Sequence, residues 1–157
     1  MRYWLLKTEP NTYSWDDLKN EQNMTTTWEG VRNYQARNLI RDEIKEGDLA
    51  FFYHSVVKPM AIVGIVEIVR GAYPDHFALD PNHKYFDPKS RADKPTWYMM
   101  DVRAREEFIR PVTLTELKSH PILSQMRLLQ KGSRLSVQPV TPMEWRYICD
   151  LSRLRKV

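Results

Sequence analysis

Ala61-Ile62-Val63-Gly64-Ile65-Val66-Glu67-Ile68-Val69 is the longest β-branched run in this 157-residue chain, and it makes a sheet the framework of the fold. β-Branched side chains are stiff at χ1 and pack well on a pleated surface, so the run reads as a buried strand. Gly64 within it marks either a bulge or a close approach of other atoms to the backbone. Working outward, Leu49 to Tyr53 reads as a second strand, entered from the Gly47-Asp48 turn and ending in His54-Ser55. Tyr3 to Leu6 is a short buried strand that delivers Lys7, Thr8 and Glu9 at its exit, where Pro10 stops it. Towards the C-terminus, Trp97 to Phe108 alternates Tyr98, Met100 and Val102 against Met99, Asp101 and Arg103, and Leu135 to Val140 follows the turn Gly132-Ser133-Arg134.

Helices fall between these strands. Ser14 with Asp17, Thr113 with Glu116 and Thr141 with Glu144 all have capping-box spacing, the last with Pro142 at the first helical position. They predict helices over 14–18, 113–119 and 141–152, and Leu39, Ile40 and Ile44 mark the apolar side of another over 34–44. Residues 71–95 form a long irregular insertion with Pro74, Pro81, Pro88 and Pro95. In compact domains such lengths often belong to binding loops or lids. The expected fold class is therefore α+β: one domain over 1–157, with five or six strands in a mixed sheet curling toward a barrel and flanked by short helices.

Composition narrows the function. A net charge of +4 suits an anionic partner without demanding one. One cysteine excludes an internal disulfide and a multi-cysteine metal site, and Cys149, in an apolar helical pattern, is expected to be a buried, inert thiol. The N-terminal apolar run is too short for a signal peptide, and no segment approaches the roughly 20 apolar residues that span a bilayer. No membrane partner is expected, and a reducing compartment is: the cytoplasm, or the nucleus in a eukaryote. His76, Asp80, His83 and Asp87 in the insertion match no familiar zinc spacing, and the aspartates read as turn formers, so neither metal nor cofactor is expected.

The segment Trp28-Glu29-Gly30-Val31-Arg32-Asn33-Tyr34-Gln35-Ala36-Arg37-Asn38 sets aromatic rings, guanidiniums and side-chain amides around one glycine. Such polar groups are costly to bury without partners, but beside an aromatic wall they suit a nucleobase, which stacks while its edge is read by hydrogen bonds. Trp28 is either that wall or a core wedge. Its replacement by alanine is expected to abolish modified-base binding while leaving the unfolding midpoint nearly unchanged. Thr8 and Glu9 can meet a base edge, or Glu9 can be a cap or surface charge. Asn33 either reads a base or ties down its own loop. Arg32, Arg37 and Arg134, with Lys131 in support, are candidate phosphate contacts or surface charges. Tyr53, His54 and Ser55 stand at a strand end, where site residues often lie, and Tyr85 or Phe86 could add a second aromatic wall.

Several motifs in the same order carry a family resemblance: Lys7-Thr8-Glu9-Pro10, Trp28 to Asn38, Phe52-Tyr53-His54-Ser55, Phe86-Asp87-Pro88-Lys89-Ser90, Trp97 to Val102 and Arg134 to Val140. From about Tyr3 to Leu151 the chain resembles the EVE domain of the PUA-like superfamily. The resemblance implies a pseudobarrel with a pocket for a flipped, modified base, as the related YTH domains hold a methylated adenine in an aromatic cage. Trp28 resembles the first cage tryptophan, and Lys7-Thr8-Glu9 the pocket-lining stretch after the first strand. Thr8 stands where the EVE pattern has serine, and its added methyl can narrow the pocket.

The expected function is a non-catalytic reader of a modified cytosine or adenine in DNA or RNA, with no catalytic residues. Lys7, Thr8, Glu9, Trp28, Asn33, Tyr53, His54 and Ser55 are its expected pocket, and Arg32, Arg37, Lys131 and Arg134 its expected backbone contacts. One alternative, suggested by the related ASCH domains, is a small amidohydrolase acting on an acylated pyrimidine nucleoside through Lys7, Thr8 and Glu67 or Glu9. Another is a domain that binds a free nucleotide. Oligomeric state is not legible.

Overall fold

The β-branched run at 61–69 is the first part of a longer strand, β4 (Ala61–Pro74), inside the sheet of the computed structural model. Residues 1–132 and 134–154 are described; Ser133, in the expected turn before the last strand, and 155–157 lie outside the described residues. With β1 (Tyr3–Thr8), β2 (Thr25–Trp28), β3 (Leu49–His54), β5 (Tyr98–Thr113) and β6 (Val137–Val140), β4 builds a six-stranded sheet ordered β2-β5-β4-β3-β1-β6. β1 and β3 pair in parallel, and the other neighbouring pairs are antiparallel. The mixed-sheet α+β class holds, and the sheet stays open, with β2 and β6 as its edges.

Several boundaries differ from expectation: β5 runs on past Phe108 to Thr113, and β6 begins at Val137 rather than Leu135. β4 and β5 stay paired through Tyr73↔Met99 and Pro74↔Tyr98, so the irregular insertion covers 75–97 rather than 71–95. Thr25-Thr26-Thr27 lacks apolar alternation but forms β2 against β5, from Thr25↔Arg103 to Trp28↔Met100. Trp28 thus ends a strand instead of opening a loop, which fixes where its ring can point. Gly64 fulfils both readings made of it. The β4–β5 register shifts between Ile62 and Gly64, and a Cβ on Gly64 would lie 2.6 Å from the Trp15 ring.

The helices begin where their caps are. Ser14 opens α1 (Trp15–Lys19) and Thr141 opens α4 (Pro142–Ser152), each with a complete capping box, and Thr113 caps α3 (Leu114–Lys118). Asn33 caps α2 (Tyr34–Asp42), which stops short of Ile44. Strand alternation sends Trp4, Leu6, Phe52 and Met100 to one cluster with α1 and α2. Leu5, Phe51, Ile62 and Phe108 go to a second cluster with α3 and α4. Cys149 is buried in that second cluster, and burial pushes its thiol up to about 11, as an inert thiol requires. Among the described residues, no helix is long and apolar enough to cross a membrane.

Candidate functional site

The exit of β1, the end of β2 with its following loop, and the 75–97 insertion surround a cavity of about 390 Å³. Lys7 and Thr8 reach it from β1, Glu9 from just beyond its end, Tyr13 from the loop before α1, Thr26 to Arg32 from β2 and beyond, Lys84 and Tyr85 from the insertion, and Ser136 from just before β6. The Lys7 N–H donates to the Ser136 carbonyl at 2.8 Å, which holds Ser136 at this end of β1.

Trp28 is 8% exposed and packs T-shaped with Phe52 at 5.7 Å and with Tyr13 at 6.5 Å. It is both a cavity wall and a core residue. This corrects the expectation that its removal would spare stability, since deleting a buried tryptophan typically costs about 3–5 kcal/mol. Of the two candidate second aromatics, Tyr85 lines the cavity and Phe86 is 39% exposed outside its lining. The Tyr85 ring lies so close to Gly30 (φ +82°) that a Cβ there would be 2.4 Å from it. Only glycine suits both that conformation and that contact.

The polar lining has defined local partners. The Thr8 hydroxyl donates to the Tyr13 carbonyl at 2.8 Å, and the Thr27 hydroxyl donates to Glu29 Oε2 at 2.6 Å. The Glu9 carbonyl accepts from the N–H groups of Thr12 and Tyr13, a turn that leaves its side chain exposed at the cavity. Burial lowers the Lys7 ammonium below the ordinary lysine range and pushes the Tyr13 phenol up to about 12. The cavity therefore offers donors and carboxylate acceptors beside an indole and two phenols.

Four expected pocket residues do not line it. The Asn33 side chain accepts from the Ala36 N–H at 3.0 Å as the α2 cap, which is the loop-tying alternative. Tyr53 is 2% exposed in the other cluster, because its alternation parity is that of Phe51. His54 Nε2 accepts from the Trp15 N–H at 3.1 Å, and His54 faces a separate cleft of about 270 Å³ that includes Lys19 and Glu107. The Ser55 N–H donates to the Thr8 carbonyl at 2.9 Å. His54 and Ser55 thus brace the Thr8–Trp15 segment from behind.

The cations divide similarly. Arg32 and Arg37 turn inward, Arg32 onto Tyr85 and Asp75, and Arg37 onto the Thr96 carbonyl at 2.8 Å. Lys131 and Arg134 are exposed in the loop that precedes Ser136. Glu67, from the hydrolase alternative, pairs with Arg105 at 2.6 Å and is outside the cavity lining. Asp80 and Asp87 accept from the N–H groups of Asn82 and Lys89, the turn-forming role read for them. Sequence reasoning missed Tyr13, Thr26, Thr27, Glu29, Lys84 and Ser136. The β-branched Thr25-Thr26-Thr27 run was an available signal for the strand that carries two of them.

Residues 2–151 match the family model of the EVE domain. The chain is 43% identical to thymocyte nuclear protein 1 of Gallus gallus, over 95% of this chain and 68% of that protein. Human THYN1 in complex with 5-methylcytosine-containing DNA is similar in structure, with TM-score 0.92 and 39% identity over 99% of this chain and 100% of that one. A Pseudomonas putida protein is similar with TM-score 0.90 and 46% identity, over 96% of this chain and 99% of that one.

Proposed function

The chain belongs to the EVE domain family, and we propose that it is a non-catalytic reader that takes a modified cytosine of DNA into the cavity beside Trp28. The observation that carries this reading is the similarity, along nearly the whole chain, to human THYN1 in complex with 5-methylcytosine-containing DNA. The cavity supports it by size, since about 390 Å³ lies within the usual range of small-ligand pockets.

The chemistry of the lining suits a cytosine edge. Cytosine presents an amino donor beside two acceptors, so a carboxylate of Glu9 or Glu29 can accept from the amine while the Lys7 ammonium donates to a ring acceptor. Thymine would turn an N–H toward that ammonium instead. Stacking on Trp28 contributes roughly 1–3 kcal/mol per base, which offsets the few kcal/mol of flipping. A buried methyl adds about 0.8 kcal/mol and favours the modified base. Lys131 and Arg134, exposed and close in sequence to Ser136 of the cavity lining, are the side chains we propose for the flanking phosphates. Such a reader belongs where its DNA is, in the cytoplasm or in the nucleus of a eukaryote.

The test is a titration panel of DNA and RNA oligonucleotides carrying modified cytosines or adenines beside unmodified twins. Tightest binding to a modified cytosine in DNA is expected, and equal affinity across the panel would overturn base reading. The lowered Lys7 ammonium beside Thr8 favours a second reading, hydrolysis of an acylated cytidine, with lysine as base and threonine as nucleophile. Release of free cytidine on incubation with that substrate would select it.

A further inference from the structure

We infer that Arg32 is a positioning residue that holds Tyr85 as a preformed wall of the base site, and that it does not grip phosphate. The inference rests on the base-reading proposal above. The Arg32 guanidinium donates from Nε and Nη2 to the Tyr85 carbonyl at 3.2 and 2.6 Å, and from Nη1 to the Val31 carbonyl at 3.1 Å and Asp75 Oδ2 at 2.9 Å. Its Cζ is also within cation–π distance of two rings, 5.4 Å from the centre of Trp97 and 5.6 Å from that of Tyr85. Four of its five N–H donors are thus committed to protein partners, so a phosphate could take a two-pronged grip on this fork only by breaking bonds already made.

Asp75 is the other half of the node. Its side chain is fully buried, and it also accepts from the Gly30 and Phe77 N–H groups, both at 3.0 Å. Its own N–H donates to the Trp97 carbonyl at 2.9 Å. One ion pair, with its carboxylate buried and its guanidinium partly exposed, therefore joins the loop after β2 to both ends of the insertion and holds the Tyr85 ring against Gly30. A buried carboxylate loses far more on losing its cation than an exposed one does. Lysine in place of Arg32 would keep the charge but not the planar fork.

The two roles for Arg32 give opposite signs for one substitution. If Arg32 contacted phosphate, Asp75→Asn would free it and tighten DNA binding. If Arg32 positions Tyr85, the same change loosens the wall and weakens binding, although it removes a negative charge. The experiment measures affinity for a duplex bearing one 5-methylcytosine and for its unmodified twin, over a salt series, with wild type, Asp75→Asn and Arg32→Lys.

Both variants are expected to lose about tenfold on the modified duplex, the scale of one charge-assisted hydrogen bond, and much less on the twin. The slope of affinity against salt should stay at the wild-type value. Adding either change to Tyr85→Ala should have little further effect. Unchanged or tighter binding by Asp75→Asn, or effects that add fully to Tyr85→Ala, would overturn the inference. If Asp75→Asn does not fold, as judged by circular dichroism, Arg32→Lys carries the test, since it keeps the pair charged. If wild type fails to distinguish the twins, base reading itself falls. Amide exchange at 84–87 then decides the positioning role: faster exchange in Arg32→Lys supports it, and unchanged exchange refutes it.

Discussion

Phe51 and Phe52 are adjacent on β3 and fully buried, yet they face two different interiors. Phe51 stacks on Trp145 of α4 at 4.0 Å with planes 16° apart, and Tyr3 stacks on the same indole at 4.5 Å. Phe52 meets Trp28 and Trp15 T-shaped, at 77° and 76°. Trp145 has its stacking used up within the protein, and Trp28 has no parallel partner among the described residues. What differs is the cover. Helices α3 and α4 close one face with apolar side chains, whereas over Trp28 the cover is made of loops that bring hydroxyls, carboxylates and a lysine. A sheet with two equally apolar faces thus acquires a site only where loops replace helices.

Removing each indole separates the two faces most strongly. Trp28→Ala and Trp145→Ala should each cost about 3–5 kcal/mol in urea unfolding, but only Trp28→Ala should abolish binding of the modified oligonucleotide in titrations on folded protein. Next come the two tight glycines. Gly64→Ala pushes on Trp15 and Gly30→Ala on Tyr85, each expected to cost about 1–3 kcal/mol by overpacking. Only the Gly30 change should also erase discrimination between modified and unmodified DNA.

Smaller and purely electrostatic, Lys131→Gln and Arg134→Gln should weaken binding to modified and unmodified duplexes alike. Each should lower the salt slope by about 0.9 while leaving the thermal midpoint unchanged. The smallest effect is pH-dependent. Desolvation holds His54 below its ordinary 6.5 against the opposing pull of Asp16, and its neutral Nε2 accepts from Trp15. The folded state then binds its proton less readily than the unfolded chain. Its contribution is complete above 6.5 and is lost as pH falls through the lowered value. The midpoint should drop as pH falls below about 6.5, and His54→Gln should show a smaller drop.

The parts legible in the sequence were those fixed by local chemistry. Ser14 with Asp17 and Thr141 with Glu144 set helix starts through side chain–backbone bonds that need no distant partner. Gly64 announced a close approach, and Lys7-Thr8-Glu9 with Trp28 did reach one cavity. What escaped depends on pairing across the chain. β2 exists because β5 holds it, and Tyr13 and Ser136 line the cavity through bonds to Thr8 and Lys7. Tyr53 was misassigned although period-two alternation from Phe52 already sends it to the other face. Arg32 and Arg37 looked like phosphate ligands because a guanidinium's partners are invisible until Tyr85, Asp75 and Thr96 are folded around it.

The contact between Gly30 and the Tyr85 ring has a consequence for sequence drift. Positions 30 and 85 lie on separate segments, yet they share one volume: a side chain at 30 and a ring at 85 cannot coexist in this backbone. The two positions are therefore expected to change together or not at all. A homologue that carries a side chain at the first should have surrendered the aromatic wall at the second. The identity of a single small residue would then sort homologues by the width of the pocket they retain.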